Sequence, residues 1–302
     1  GNVISVSSKT MTILAILRNN LVENTASQIV DTDEIPACFK EETIRSVYGY
    51  NFRVQKIENT YAIHAFSGST IFISSSDEID TIDLPSEIDF YISLHSHLGS
   101  VLLVNGTKNE NYISDIQHVR RRETIAMTPA NSLLAIQALI EQHAIGSVKI
   151  DRQEDKASTL ASISTITNAH SEALVASSGL SMQYAIMMGL IDYSNENHAG
   201  KAIKFIVPTN CYGGTNDQAR RVADCIGHAE IVDLAVDGEN DMVTSIDAVL
   251  AKIAHEDAIP YIIAEIPTNP RVEVPDMQKL KDALSKERTT ASGATAIDPV
   301  FI

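Results

Sequence analysis

Three short stretches of the chain, and one pair of histidines, put reactive or ligand-binding side chains at spacings that could do chemistry. Ala176-Ser177-Ser178-Gly179-Leu180-Ser181-Met182 reads as a strand that turns through glycine into a helix. Backbone amides at a helix start carry the positive end of the dipole and can hold a phosphate. Serine ahead of a helix is also an ordinary structural cap. Pro208-Thr209-Asn210-Cys211-Tyr212-Gly213-Gly214-Thr215 follows an apolar strand, on the side of an open α/β sheet where ligands bind. Tyr212 could lay its ring on a flat molecule there, or pack on its own helix. Ala264-Glu265-Ile266-Pro267-Thr268-Asn269-Pro270-Arg271 repeats the placement at a later strand. Prolines on both sides constrain Asn269, so its amide could be held to donate to a phenolate or carbonyl oxygen, though Thr-Asn-Pro is also a common loop. In Leu94-His95-Ser96-His97 two histidines share one side of a strand end, a spacing open to a catalytic metal. Asp83, Glu87, Asp89 and Asp115 are the nearest carboxylates and fit no recognisable ligand pattern with them.

The elements that would carry these residues can be read from periodicity. Residues 128–302 alternate helical and strand patterns, which predicts an α/β domain with a mainly parallel sheet flanked by helices. Thr128-Pro129 caps a helix through Leu133, Leu134, Ile136, Leu139 and Ile140, and a second helix is expected from Lys156 to His170. Strands are expected at Ala173–Ala176, Ala202–Val207, Glu230–Ala235, Tyr261–Ile266 and Ala294–Ile302. Helices are expected from Gly179 to Tyr193, from Gly213 to about Ile226, from Ser245 to His255 and from Pro275 through Leu284. Residues 1–127 read as a separate α+β, mainly strand, region of unassigned role. A helix falls within Thr10–Leu21, strands at Phe90–Leu94 and Val101–Val104, and a hairpin around Ser67-Gly68-Ser69. The acidic, serine-rich stretch Ser74–Ser86 reads as a solvated loop.

Composition narrows the partners. With 302 residues, 44 % of them hydrophobic, the chain can bury a sizeable core. A net charge of −16 argues against binding a phosphate backbone, so nucleic acid is not expected. The one dense basic run, Arg120-Arg121-Arg122, reads as a solvated helix end or a salt-bridged surface. Cys38, Cys211 and Cys225 match no disulfide or zinc framework and read as reduced thiols. With no membrane-length apolar run and no recognisable leader, a cytoplasmic protein is expected.

Taken in order, Ser-Ser-Gly-Leu, Tyr-Gly-Gly-Thr and Glu-Ile-Pro-Thr-Asn-Pro resemble the signatures of one family. It is the pyridoxal-phosphate enzymes of cysteine and methionine metabolism, the cystathionine γ-synthase, cystathionine lyase and methionine γ-lyase group of fold type I. The resemblance covers about residues 148–302. It implies that Ser178, Gly179 and Leu180 hold the cofactor phosphate, that Tyr212 stacks on its ring, and that Asn269 bonds its phenolic oxygen, with Glu265 in support. Arg152, in Ile150-Asp151-Arg152, stands where the family has Tyr-x-Arg, though without the tyrosine; it would reach the phosphate in a neighbouring subunit or form a surface salt bridge. Asp298, in Asp-x-x-Phe, matches the aspartate that holds the ring nitrogen in that family, or else is a turn residue before Pro299. The resemblance further implies a homodimer or tetramer. Its reaction would be elimination or replacement of a β- or γ-substituent on a small amino acid of the cysteine, homocysteine or cystathionine class.

The family's Schiff-base lysine has no counterpart here. Lys279, Lys281 and Lys286 fall on a polar helix and read as solvated, and the chain ends inside an apolar strand, so a partial form of such an enzyme is expected. Two other readings remain: a metal-dependent hydrolase using His95 and His97, and a non-catalytic binding or assembly subunit with the same fold.

Overall fold

A computed structural model describes residues 2–32, 35–40, 42–75, 84–141, 145, 152–236 and 241–302. Ile150 and Asp151 of the arginine motif, Asp83, and most of the acidic stretch after Ser75 lie outside the described residues. The chain divides into two compact units, residues 1–44 with 50–182, and residues 45–49 with 183–302. The class is α/β: a mixed six-stranded sheet in the first unit and a parallel four-stranded sheet in the second, each accompanied by helices. Among the described residues no helix is long and apolar enough to cross a membrane.

In the first unit β1 (Val3–Val6) leads into α1 (Met11–Val22), β2 (Ser27–Asp31), the single turn α2 (Thr43–Ser46), which lies at the unit boundary, and β3 (Phe52–Lys56). Then follow β4 (Ser69–Ser74), β5 (Phe90–His95), β6 (Gly99–Val104), α3 (Asn111–Arg122), α4 (Pro129–Glu141) and α5 (Arg152–Thr167). The sheet order is β1-β6-β5-β4-β2-β3. β3, β2, β4 and β5 are mutually parallel, and β5, β6 and β1 pair antiparallel.

The core of this unit is aliphatic and aromatic on both faces of the sheet. Phe90 packs on Tyr112 of α3 with ring centroids 4.8 Å apart. Val30, Phe72 and Tyr91 gather with Ile57, Ile63 and Ile88 in a second cluster. Several buried polar groups are paired, which offsets their desolvation: the Tyr112 hydroxyl donates to Asn20 Oδ1 at 2.6 Å, and Asn20 Nδ2 donates to Ser27 Oγ at 2.8 Å. Arg18 of α1 holds Glu123 at the end of α3 through two contacts of 2.9 and 2.7 Å, with the two side chains only 7 % and 1 % exposed. On one rung of the sheet Arg53 donates to Gln28 Oε1 at 3.1 and 2.7 Å, and Gln28 Nε2 donates to Thr70 Oγ1 at 2.9 Å.

Two expectations for this unit are corrected. The hairpin expected around Ser67-Gly68-Ser69 does not form. Thr60–Ala62 is a 3-10 turn capped by Asn59, and β4 runs parallel between β2 and β5 with every residue buried. An inner strand of this kind needs neighbours on both edges, which a local hairpin cannot supply. The hairpin present is β5–β6, and it requires Gly99. With φ +116°, a Cβ at that position would lie 2.2 Å from the Val6 carbonyl oxygen. The strand expected at Ala173–Ala176 is also absent: Leu174 is 81 % exposed, and this short apolar run has no partner strand among the described residues.

In the second unit α6 (Gly179–Asn197), whose first turn groups with the first unit, is followed by β7 (Ile203–Pro208), α7 (Gly213–Ala223), β8 (Ala229–Leu234) and α8 (Met242–His255). β9 (Ile259–Ile262), α9 (Met277–Leu284) and β10 (Val300–Phe301) complete it. The strands pair in parallel in the order β10-β9-β7-β8. Ile246, Leu250 and Ile253, at helical spacing on α8, pack on Ile206, Leu234 and Ile262 of the sheet. Asp241 starts this helix by accepting from the Thr244 amide at 2.6 Å. Because all four strands run the same way, their carboxyl ends open on a single edge, where the loops that follow them gather.

Candidate functional site

β7 ends at Pro208, and Thr209 ties that end to β8. Its amide donates to the Leu234 carbonyl at 2.9 Å, and its Oγ1 accepts from the Val236 amide at 3.1 Å. The chain then turns through Cys211 to Tyr212, which occupies the N-cap of α7 without capping it through its side chain. In the first turn of α7, Thr215 Oγ1 donates to Glu265 Oε1 at 3.1 Å and so joins the helix to the segment after β9.

That segment closes on itself around Thr268. The Thr268 amide donates to the Glu273 carbonyl at 3.0 Å, its Oγ1 accepts from the Glu273 amide at 2.9 Å, and its carbonyl accepts from the Val272 amide at 2.8 Å. Val272 is held at φ +59°, a left-handed conformation that is strained for a β-branched residue and is met most often where a loop has a task. Asn210 Nδ2 donates to Glu273 Oε2 at 2.7 Å, and Arg271 stands 3.8 Å from Glu273 Oε1.

Between these loops lies a cleft of about 260 Å³, lined by Asn210, Cys211, Glu265, Thr268, Arg271 and Glu273 together with apolar residues. Asp241 also faces it, so three carboxylates stand against a single arginine. The Cys211 thiol has its pKa raised, first by burial and then by the negative charge of Glu265. It is held in the neutral form and is a poor nucleophile.

Tyr212, Glu265 and Asn269 are therefore brought to one edge of one sheet, on segments following the neighbouring strands β7 and β9. Tyr212 and Asn269 each adjoin a residue that lines the cleft, both are exposed, and neither side chain has a hydrogen-bond partner among the described residues. Asp298 is not brought there. It precedes β10 at the amino edge of the sheet, in a shallow recess with Lys286 and Arg288, away from the carboxyl edge to which the ring-nitrogen role would assign it. No lysine lines the cleft among the described residues. Lys279 pairs with Asp276 on the surface, and Lys286 with Asp247.

Ser178, Gly179, Leu180 and Arg152 belong to the first unit. Ser178 Oγ accepts from the Ser181 amide at 3.1 Å, so it is the cap of α6. Ser181 Oγ in turn donates to the Glu123 carbonyl at 3.0 Å. Gly179 and Leu180 open α6, and Arg152 opens α5. His95 is buried on β5, with Nε2 3.0 Å from Ser93 Oγ, while His97 lies in the β5–β6 turn. Among the described residues no three His, Cys, Asp or Glu side chains are grouped to hold a metal.

The clasp formed by Thr268, Glu273 and Asn210, and the tie from Thr215 to Glu265, were missed in the sequence. Their residues lie inside or just after the quoted motifs, but which side chain meets which is a non-local fact. No protein-family model matches the chain, and no curated protein matches it.

Proposed function

We propose that the carboxyl edge of the four-stranded sheet binds the ring of pyridoxal 5'-phosphate, and that the chain belongs to a fold-type I enzyme of sulfur amino-acid metabolism. The observation that carries this reading is the presentation of Tyr212 and Asn269 from segments after adjacent parallel strands, beside one cleft, with their polar ends unengaged among the described residues. Those groups fit the cofactor's flat ring and phenolic oxygen. The three carboxylates in the cleft do not suit its phosphate.

When bound, the cofactor supplies an electron sink for breaking bonds next to an amino group. Tyr212 covers one face of the ring and excludes water from it. Asn269 donates its amide to the phenolic oxygen and fixes the ring's rotation. Burial, and then the charge of Glu265 held by Thr215, keep the Cys211 thiol protonated and unreactive. With no lysine lining the cleft among the described residues, cofactor is held by these contacts without a covalent bond, which favours a binding role for this chain's own residues.

The test is a titration with pyridoxal phosphate followed by absorbance and equilibrium dialysis. Saturable one-to-one binding is expected. Removing a stacked ring (Tyr212→Ala) or one hydrogen bond (Asn269→Ala) forfeits about 1 kcal/mol, roughly a fivefold weaker Kd for each. Borohydride is expected to leave the bound cofactor dialysable. Absence of saturable binding, or binding indifferent to both substitutions, overturns the proposal.

A further inference from the structure

The loop that carries Tyr212 and the loop that carries Asn269 are joined by side chains at two places. Ahead of Tyr212, Asn210 Nδ2 donates to Glu273 Oε2 at 2.7 Å, and after it Thr215 Oγ1 donates to Glu265 Oε1 at 3.1 Å. In sequence, Glu265 and Glu273 stand four residues to either side of Asn269, so the two links bracket both residues. A single link would leave a hinge about which one loop could swing. Two links set the separation of the loops and their relative rotation together, which is what holding a rigid ligand demands.

Glu273 also holds its own loop. Its amide donates to Thr268 Oγ1 at 2.9 Å, and its carbonyl accepts from the Thr268 amide at 3.0 Å. Its backbone is thus tied to the residue just before Asn269, while its carboxylate crosses to the residue two places before Tyr212. A carboxylate acceptor makes that crossing bond charge-assisted, stronger than one between neutral groups. Two of the three carboxylates that line the cleft are therefore engaged in joining its walls.

We infer that Glu273 is a positioning residue of the ring site: through Asn210 it sets the distance between Tyr212 and Asn269. This role rests on the reading of that edge as the site of the cofactor's ring. A second readout, at Cys211, needs no cofactor. Cys211 lies between Asn210 and Tyr212 and its thiol is half-buried, so its alkylation rate in the cofactor-free protein reports how firmly that loop is held.

Glu273→Ala removes the link and leaves both backbone bonds to Thr268 in place. The side chain is 48 % exposed, so circular dichroism should not change. Glu273→Gln removes the charge but keeps an oxygen that can accept from Asn210. In Glu273→Ala and in Asn210→Ala the Kd for pyridoxal phosphate is expected to rise about fivefold, with no further rise in the double variant. Alkylation of Cys211, followed by peptide mass analysis, is expected to quicken in all three. Glu273→Gln should stay within about twofold of the wild type in both readouts. If the wild-type chain binds and weakens with Tyr212→Ala, yet Glu273→Ala changes neither readout or Glu273→Gln matches Glu273→Ala, the positioning role is refuted and the ring site stands. A rise in Kd without faster alkylation makes Glu273 a direct ligand contact and also refutes the role. No saturable binding by the wild-type chain refutes the ring site and the role together.

Discussion

Replacing Glu123 by glutamine leaves the shape of its site intact and removes one charge from the ion pair that joins α1 to the end of α3. Both side chains are almost fully buried, and the contacts are two, at 2.9 and 2.7 Å. A charge-assisted hydrogen bond contributes about 1.5–3 kcal/mol, and breaking a buried pair by removing one partner costs about 3–5 kcal/mol. The two estimates meet at about 3 kcal/mol, a large part of the roughly 5–15 kcal/mol that holds a domain folded. With a urea dependence of about 2 kcal/mol per molar, the midpoint of the first unit's transition should fall by about 1.5 M. Replacing both partners, Arg18→Met with Glu123→Met, removes the desolvated charges together and should recover most of that loss. The assay is urea unfolding of the three proteins, followed by circular dichroism. If the double variant is as unstable as the single one, the cost lies in packing and the argument from buried charge is wrong.

Other outcomes follow from the same geometry. Gly99→Ala should cost about 1–3 kcal/mol in urea unfolding, since the turn needs a left-handed backbone and the new methyl meets the Val6 carbonyl oxygen. Asp247, hydrogen-bonded to Lys286 and Arg288, has its pKa lowered by those bonds. Its stabilisation is complete above the unfolded carboxylate value of about 3.9 and is lost as pH falls through the lowered folded value. The carboxylate is partly exposed, so Asp247→Asn should cost only about 0.5–1 kcal/mol at neutral pH, and the difference should shrink in acid. Glu265→Gln should shift the alkylation profile of Cys211 to lower pH, because it removes the charge that adds to burial in raising the thiol's pKa. An unchanged profile would mean that burial alone sets it.

Legibility from sequence differed between the two units for a physical reason. In the second, each strand is a short apolar block ended by a turn signal such as Pro208 or Gly213, and each helix shows its apolar stripe. β7, β8, β9, α7 and α8 accordingly fall within a few residues of expectation. The alternation also implied that Tyr212 and Asn269 would share an edge, which they do. In the first unit the central strands carry Ser27, Gln28, Asp31 and Ser69, all buried and polar. Nothing local marks such residues as strand core, because it is their distant partners that make burial tolerable. The same non-locality let β4 pass for a hairpin arm, and let Asp298 be placed from its local motif when it enters its strand at the amino edge, opposite the cleft.

The Arg53–Gln28–Thr70 rung has a consequence for how the sheet finds its pairing. β2 is buried along its whole length, so a greasy-in, polar-out alternation cannot tell one alignment from the next, and even in a half-buried strand a two-residue slip leaves that alternation intact. Its neighbours β3 and β4 are parallel to it, so no tight turn fixes their offset. Arg53 and Thr70 meet Gln28 in one alignment only. In any other, the amide would be buried with donor and acceptor unmet, a penalty of about 1–3 kcal/mol for each lost partner. The three polar side chains act as a key cut for a single lock position, in a stretch of sheet where apolar packing by itself would accept several.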